Sequence, residues 1–315
     1  MDPDYFKSYE MSWGTLGTMR PFSNFHPERD AMEIQTALEK KDAVTLVRIL
    51  TNRNSAQRQV ITETYQGITE KDLVSGVKKA LSGELETLLL ALLMTPLQHE
   101  AQRLRQAMEG IGTDEETLLE ILCTRSGKQL KEIDAAYSEL YKKDLEKDLK
   151  GETSGDFAKL IVALLNKENV AGVVQRDIEA LSASLNGKKA DTEPWINILT
   201  SRDSDHLNRV LMALELESGQ TIDQTLEKRF TGDIRQGLSV LAQCIQSPDL
   251  YLAKRLETMK IPIVRGVMVS HCEEDLLCVR AAYLKQTGTS LYTALQKQFK
   301  GDHLQALLAI CRSED

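Results

Sequence analysis

The sequence lacks any run approaching the ~18 consecutive apolar residues that a membrane-spanning helix needs. Positive charge does not predominate either: 39 Lys and Arg against 47 Asp and Glu leave a net charge of −8. Nucleic-acid binding concentrates basic residues, so no nucleic acid partner is expected. An anionic bilayer would repel such a chain unless something cationic intervened. The five cysteines (Cys123, Cys244, Cys272, Cys278, Cys311) are odd in number and never spaced CxxC. That count and spacing argue against a disulfide framework or a zinc site, and predict reduced thiols in helix cores, as in a cytoplasmic protein. Met1-Asp2-Pro3-Asp4 has no basic start or apolar core of a signal peptide, Met1 is not followed by Gly, and Arg312-Ser313-Glu314-Asp315 is no prenylation box. His26, His99, His206, His271 and His303 are scattered, with no His-Glu-x-x-His pair and no nucleophile elbow, so no enzyme is expected.

What is present is a repeat. A small or polar residue followed by Gly opens Ser82-Gly83-Glu84-Leu85, Ser154-Gly155-Asp156-Phe157, Thr231-Gly232-Asp233-Ile234 and Lys300-Gly301-Asp302-His303. The four glycines, Gly83, Gly155, Gly232 and Gly301, are nearly evenly spaced along the chain. Thr-Asn-Arg53, Cys-Thr-Arg125, Thr-Ser-Arg202 and Val-Ser-His271 keep the same steps as the glycines, with His replacing Arg in the last. Two landmarks on one rhythm imply one unit made four times.

The segment 1–25 differs in character. Met11-Ser12-Trp13-Gly14-Thr15-Leu16-Gly17-Thr18 has no helical period, and predicts an arm lying on the body with Trp13 and Phe22 as anchors. Its Gly-Thr doublet follows no strand and precedes no Lys, which argues against a phosphate loop. From Asp30 onward the pattern is helical: Ile34 and Leu38, then Val44, Val47 and Leu50, Leu118 to Leu122, and Leu160 to Leu164 recur at three and four, and β-type alternation is nearly absent. Ser82, Thr153 and Ser154 stand as N-cap candidates. Each unit predicts about five helices, the last apolar nearly all round (Leu85–Leu93, Phe157–Leu165, Ile234–Ile245, Leu304–Cys311) and therefore central.

Only the second unit keeps a loop with evident chemistry. Met108-Glu109-Gly110-Ile111-Gly112-Thr113-Asp114-Glu115 joins two helices, and its two glycines let the backbone turn carbonyls toward one concavity. Glu152 follows forty residues after Gly112. Calcium takes about six to eight oxygens. Carbonyls of Met108, Gly110 and Gly112 with a bidentate Glu152 supply five, leaving room for water or a lipid phosphate. Taken alone, Gly-x-Gly-Thr is equally compatible with a tight helix–helix turn.

Over residues 22–312, Gly110-Ile111-Gly112-Thr113 with Glu152, the Thr-x-Arg strings, the Ser/Thr-Gly-Asp helix starts and Thr51-Asn52-Arg53-Asn54-Ser55-Ala56-Gln57-Arg58-Gln59 resemble the annexins, the last string the first repeat of annexin II and its relatives. The resemblance implies an all-α fold of four annexin repeats packed as a slightly curved disc. The divisions expected are an arm at 1–25 and repeats at 26–96, 97–168, 169–247 and 248–315. It implies calcium as cofactor and peripheral, calcium-dependent binding to anionic phospholipid membranes, with a role in membrane organisation or trafficking. In the family a carboxylate at a fixed distance after the loop's first Gly completes the main calcium site; here that position is Glu152.

The departures weaken that expectation. The acid position is Ala80 in the first repeat, Arg229 in the third and Gln298 in the fourth, and the loops read Leu38-Glu39-Lys40-Lys41-Asp42-Ala43, Asn186-Gly187-Lys188-Lys189-Ala190-Asp191 and Met259-Lys260-Ile261-Pro262-Ile263-Val264. Ile111, Lys40, Lys41, Lys188 and Lys189 are candidate phospholipid contacts, against a reading of the lysines as ordinary solvated residues. The resemblance also implies a central polar path, matched by Glu100, Glu120, Arg125 and His271, against a purely structural role for the set. The competing function is a calcium-independent protein-interaction scaffold, its partners unknown, whose membrane role has decayed.

Overall fold

The computed structural model describes residues 16–312. Trp13 and the Gly14-Thr15 half of the doublet lie outside the described residues, as do Ser313, Glu314 and Asp315. Twenty helices and no strand are found among the described residues, five helices to a repeat. The first repeat holds α1 (Pro27–Glu39), α2 (Ala43–Leu50), α3 (Ser55–Thr69), α4 (Leu73–Ala80) and α5 (Gly83–Leu93). The second holds α6 (Pro96–Met108), α7 (Glu115–Thr124), α8 (Gly127–Tyr141), α9 (Leu145–Glu152) and α10 (Gly155–Leu165). The third holds α11 (Val174–Ser184), α12 (Glu193–Leu199), α13 (Ser204–Ser218), α14 (Ile222–Arg229) and α15 (Gly232–Gln246). The fourth holds α16 (Pro248–Glu257), α17 (Ile261–His271), α18 (Leu276–Thr287), α19 (Leu291–Gln298) and α20 (Gly301–Cys311).

The repeating glycine has a backbone reason. Gly83, Gly155, Gly232 and Gly301 sit at φ +67, +61, +71 and +67, each at the first residue of the repeat's last helix. A side chain there would be strained. The capping expected of Ser82 and Ser154 is not made: both occupy the N-cap position, but neither side chain bonds the helix. Thr153 instead donates back to the Leu149 carbonyl at 2.7 Å.

The repeating arginine has a packing reason. Arg53 grips Asp30 through two nitrogens at 2.7 and 2.9 Å, tying the end of α2 to α1. Arg125 reaches Glu100 at 3.3 Å and Arg202 reaches Asp177 at 2.9 Å, each clasping the first helix of its own repeat. In the fourth repeat His271 takes the arginine's place and its Nδ1 meets Asp275 at 2.7 Å, four residues on, rather than an acid of α16.

The chain divides into two compact units, one of the stretch ending at His99 with the stretch beginning at Leu252, the other of Glu100–Tyr251. In the first unit α5 and α2 both pack on α20. Leu88, Leu89, Leu92, Ala306 and Ile310 are fully buried there. In the second, α10 and α7 pack on α15, burying Leu160, Ile161, Leu164 and Leu238 completely. Each such leucine or isoleucine contributes roughly 1.5–3 kcal/mol of transfer free energy. Val44, expected in the apolar stripe of α2, is 71% exposed. It lies in the first turn, while the buried face of this short helix is Leu46, Val47, Ile49 and Leu50.

The described part of the arm is sewn into the first unit. The Met19 N–H donates to Cys272 O at 2.9 Å, Thr18 Oγ1 to Ile310 O at 2.6 Å, and Leu277 N to Leu16 O at 3.0 Å. A Cβ on Gly17 would stand 2.6 Å from the Glu273 backbone, so only glycine passes there. Phe22 is half exposed, with the Arg53 guanidinium 3.9 Å over its ring and Gln57 bonding both its N–H and its carbonyl.

Candidate functional site

In the second repeat α6 stops at Met108, whose buried side chain fixes the loop's stem. The Asp114 N–H closes the loop on Ala107 O at 2.8 Å. The Asp114 carboxylate then caps α7, accepting from Thr117 N at 3.1 Å and from its hydroxyl at 2.7 Å. Between these fixed ends Gly110 and Gly112 adopt φ +90 and +87. No atom lies within 4 Å of a Cβ built at either, so backbone conformation alone demands glycine. Ile111, between them, is 109% exposed, as open as a side chain can be.

Glu152 is the last residue of α9. Its Oε2 accepts from the Thr113 hydroxyl at 2.9 Å, which joins the loop to the end of a helix thirty-nine residues on. Every candidate donor here is oxygen: a carboxylate, a hydroxyl and main-chain carbonyls. A hard, oxygen-seeking cation of flexible coordination fits such a set; soft or nitrogen-seeking metals do not.

The other loops are built differently. In the first repeat the turn is tight, with Lys41 at φ +52 and Asp42 N bonded to Ala37 O at 2.8 Å. Lys40 and Lys41 are exposed, and Ala80 ends α4 without a carboxylate. In the fourth, Met259 takes φ +50, α17 begins two residues later with Pro262 in its first turn, and Gln298 ends α19. In the third, Arg229 ends α14 and its Nη2 donates to Gly187 O at 2.6 Å. Gly187 follows Gly110 by the same interval at which Arg229 follows Glu152, so the two pairs are counterparts in successive repeats. A guanidinium therefore sits on the loop carbonyl at the acid's position. Lys188 and Lys189 beside it are exposed.

The polar set divides between the units. Glu100, Glu120 and Arg125 are buried in the second unit, together with Arg103, which the sequence did not single out although it stands one helical turn from Glu100 on α6. Arg103 pairs with Glu120 at 2.6 Å. Burial pulls its pKa down, but Glu120 and Glu100 outweigh that and hold it above the ordinary arginine value. His271 is buried in the first unit, with Asp275 as partner. Burial pushes the Cys123 and Cys272 thiols up to about 12 and Cys244 well above its usual value, leaving three unreactive core thiols.

A family model described as "Annexin" matches residues 29–92, 99–164, 176–241 and 254–310. Human annexin A9 is 35% identical over 319 residues, covering 96% of this chain and 92% of that protein, and mouse annexin A9 matches over the same spans. The solved structure of annexin III superposes with a TM-score of 0.93 at 33% identity, covering 96% of this chain and 99% of that one. Chicken annexin V in complex with Zn2+ superposes with a TM-score of 0.87 at 35% identity, covering 94% and 98%.

Proposed function

The chain belongs to the annexin family, whose members are in general calcium-dependent phospholipid-binding proteins rather than enzymes, and on that premise we propose that it docks peripherally on anionic membranes through one calcium-bearing loop instead of four. No helix among the described residues is long and apolar enough to cross a bilayer. Met108, Gly110 and Gly112 through their carbonyls, and Glu152 through its carboxylate, would hold the ion. The ion supplies a positive bridge between an acidic protein and an acidic lipid surface.

The chain's own residues do the rest. Gly110 and Gly112 set the backbone conformation, Thr113 orients Glu152, and Ile111 offers a bare apolar side chain to the headgroup layer. The observation that carries this reading is the Thr113–Glu152 bond, at 2.9 Å, in a loop whose Ile111 is fully exposed. Coplanar sites multiply weak contacts. One site in place of four implies weak binding that demands abundant calcium, in a role of membrane organisation or trafficking.

The second reading, a calcium-independent protein-interaction scaffold, is favoured by the acid position, which is Ala80, Arg229 and Gln298 in three of the four repeats. Sedimentation with phosphatidylserine vesicles separates the two. Pelleting in calcium that is lost in chelator supports the membrane reading; no pelleting in either supports the scaffold.

A further inference from the structure

The third-repeat loop has the form of a cation site whose cation is covalently supplied. Its glycine carbonyl, Gly187 O, accepts from Arg229 Nη2 at 2.6 Å. Arg229 stands where the second repeat carries Glu152, so the position that provides a negative ligand in one repeat provides the positive charge itself in another. The Arg229 Nε is buried without a hydrogen-bond partner, so the side chain reaches this carbonyl while leaving one bond unmade. The contact is therefore not the default of a solvated surface arginine, which would satisfy all five donors from water. The loop adds two exposed lysines, Lys188 and Lys189, against one exposed acid, Asp191, whose Oδ1 accepts from Glu193 N at 3.1 Å. With Arg229 it presents three cationic groups to one carboxylate, on a chain whose net charge is −8.

We propose that the third-repeat loop is a calcium-free contact for the phosphate of an anionic phospholipid headgroup, with Arg229 as its resident cation and Lys188 and Lys189 as the residues that meet the lipid. The proposal rests on the membrane reading above and extends it. The second loop binds lipid only when an ion arrives, whereas the third needs none. Phosphate suits this trio because guanidinium and ammonium groups form charge-assisted hydrogen bonds to its oxygens. A bilayer, not a free anion, is the favoured occupant, because a surface rich in anionic lipid attracts neighbouring lysines together, at roughly fivefold in affinity each.

The test uses the full chain and phosphatidylserine vesicles in two arms, saturating calcium and chelator at low ionic strength. Lys188→Gln with Lys189→Gln should weaken binding roughly thirtyfold in either arm where the parent binds, and should flatten its salt dependence. Calcium stoichiometry should stay unchanged. Arg229→Gln should weaken binding in the same direction, and Arg229→Lys, which keeps the charge, should restore most of it. Circular dichroism with thermal melting of each variant guards against misfolding, and the exposed lysine pair keeps the test valid if the Arg229 variants unfold.

Parent-like binding by the folded lysine pair variant overturns the proposal while leaving the calcium reading intact. Binding in chelator that depends on the lysines, with none added by calcium, supports the proposal and overturns the calcium reading. Failure to bind in both arms overturns both. Glycerophosphoserine or inorganic phosphate competing at the concentration of the vesicle lipid would show a free-phosphate site and refute the lipid assignment.

Discussion

The Thr113 hydroxyl donates to Glu152 Oε2 at 2.9 Å, so the second-repeat loop is tied to the end of α9 by its own side chains. Thr113 is thereby a positioning residue for the carboxylate. Thr113→Val keeps the shape and removes the donor. Calcium affinity should fall severalfold, by roughly the ~1 kcal/mol of one such bond or somewhat more because its acceptor is charged. The melting temperature should not move, because the pair is exposed. Calorimetry giving parent-like affinity would mean the bond does not position Glu152.

Ile111, at 109% exposure, contributes nothing to folding by burial. Replacing it by Ser should leave stability within about 0.5 kcal/mol. If its side chain enters the headgroup layer, Ile111→Ser should weaken vesicle binding in calcium roughly tenfold, since burying such a side chain is worth about 1.5–3 kcal/mol. Calcium affinity without lipid should be unchanged. Equal vesicle binding by parent and variant would remove Ile111 from the interface.

On the proposed reading the third-repeat loop has two obstacles to calcium, its lysines and the Arg229 guanidinium that donates to Gly187 O at 2.6 Å. Arg229→Glu alone should add no calcium, because Lys189-Ala190 remain where the family's loop would carry Gly-Thr, with Lys188 beside them. Rebuilding residues 187–190 as Gly-Ile-Gly-Thr together with Arg229→Glu should raise the calcium stoichiometry by one. An added ion from Arg229→Glu alone would show that the arginine was the sole obstacle.

Asp177 gives a pH test of the helix clasp. Burial pushes its pKa up, but the hydrogen bonds from Arg202 at 2.9 Å and His206 at 2.6 Å outweigh burial and hold it below the usual carboxylate range. A carboxyl depressed in the folded state stabilises fully above its unfolded pKa, near 3.9, and loses that contribution as pH falls through the lower folded value. Asp177→Asn should therefore destabilise by about 3 kcal/mol at pH 7, leaving Arg202 without its anion. The gap from the parent should shrink below about pH 4. Denaturant midpoints showing a constant gap from pH 7 to pH 3 would mean that shape, not charge, is what the variant loses.

The fold is legible because two rhythms in the sequence answer to two local constraints. The glycines mark the positive φ that opens each repeat's last helix, and the arginines mark the clasp of second helix to first. Glu100 is reached only through the family resemblance, and the other partners of the clasp are not legible, since Asp30 and Asp177 lie most of two helices ahead of their arginines with no motif around them. Val44 escapes the pattern because a hydrophobic period does not say which turn of an eight-residue helix stays outside. The hydroxyls of Ser82 and Ser154 depart from expectation because residue type identifies an N-cap position without fixing whether the side chain bonds there. Spacing locates Glu152 and Arg229 as counterparts; only the folded chain brings the arginine's nitrogen onto Gly187, forty-two residues back. Arg103 stays hidden because a charged residue on a helix is more often solvated than paired in the interior.

On the proposed reading one loop, closed by one carboxylate, carries calcium-dependent attachment. Glu152→Gln keeps the side chain's size and removes its charge and its two-oxygen grip on a cation. Sedimentation with phosphatidylserine vesicles in millimolar calcium measures that attachment directly, with circular dichroism confirming the fold. The calcium-dependent fraction of binding should fall at least tenfold in the variant. Sedimentation of Glu152→Gln indistinguishable from the parent would contradict that reading, and would move the calcium site, or the membrane contact itself, elsewhere on the chain.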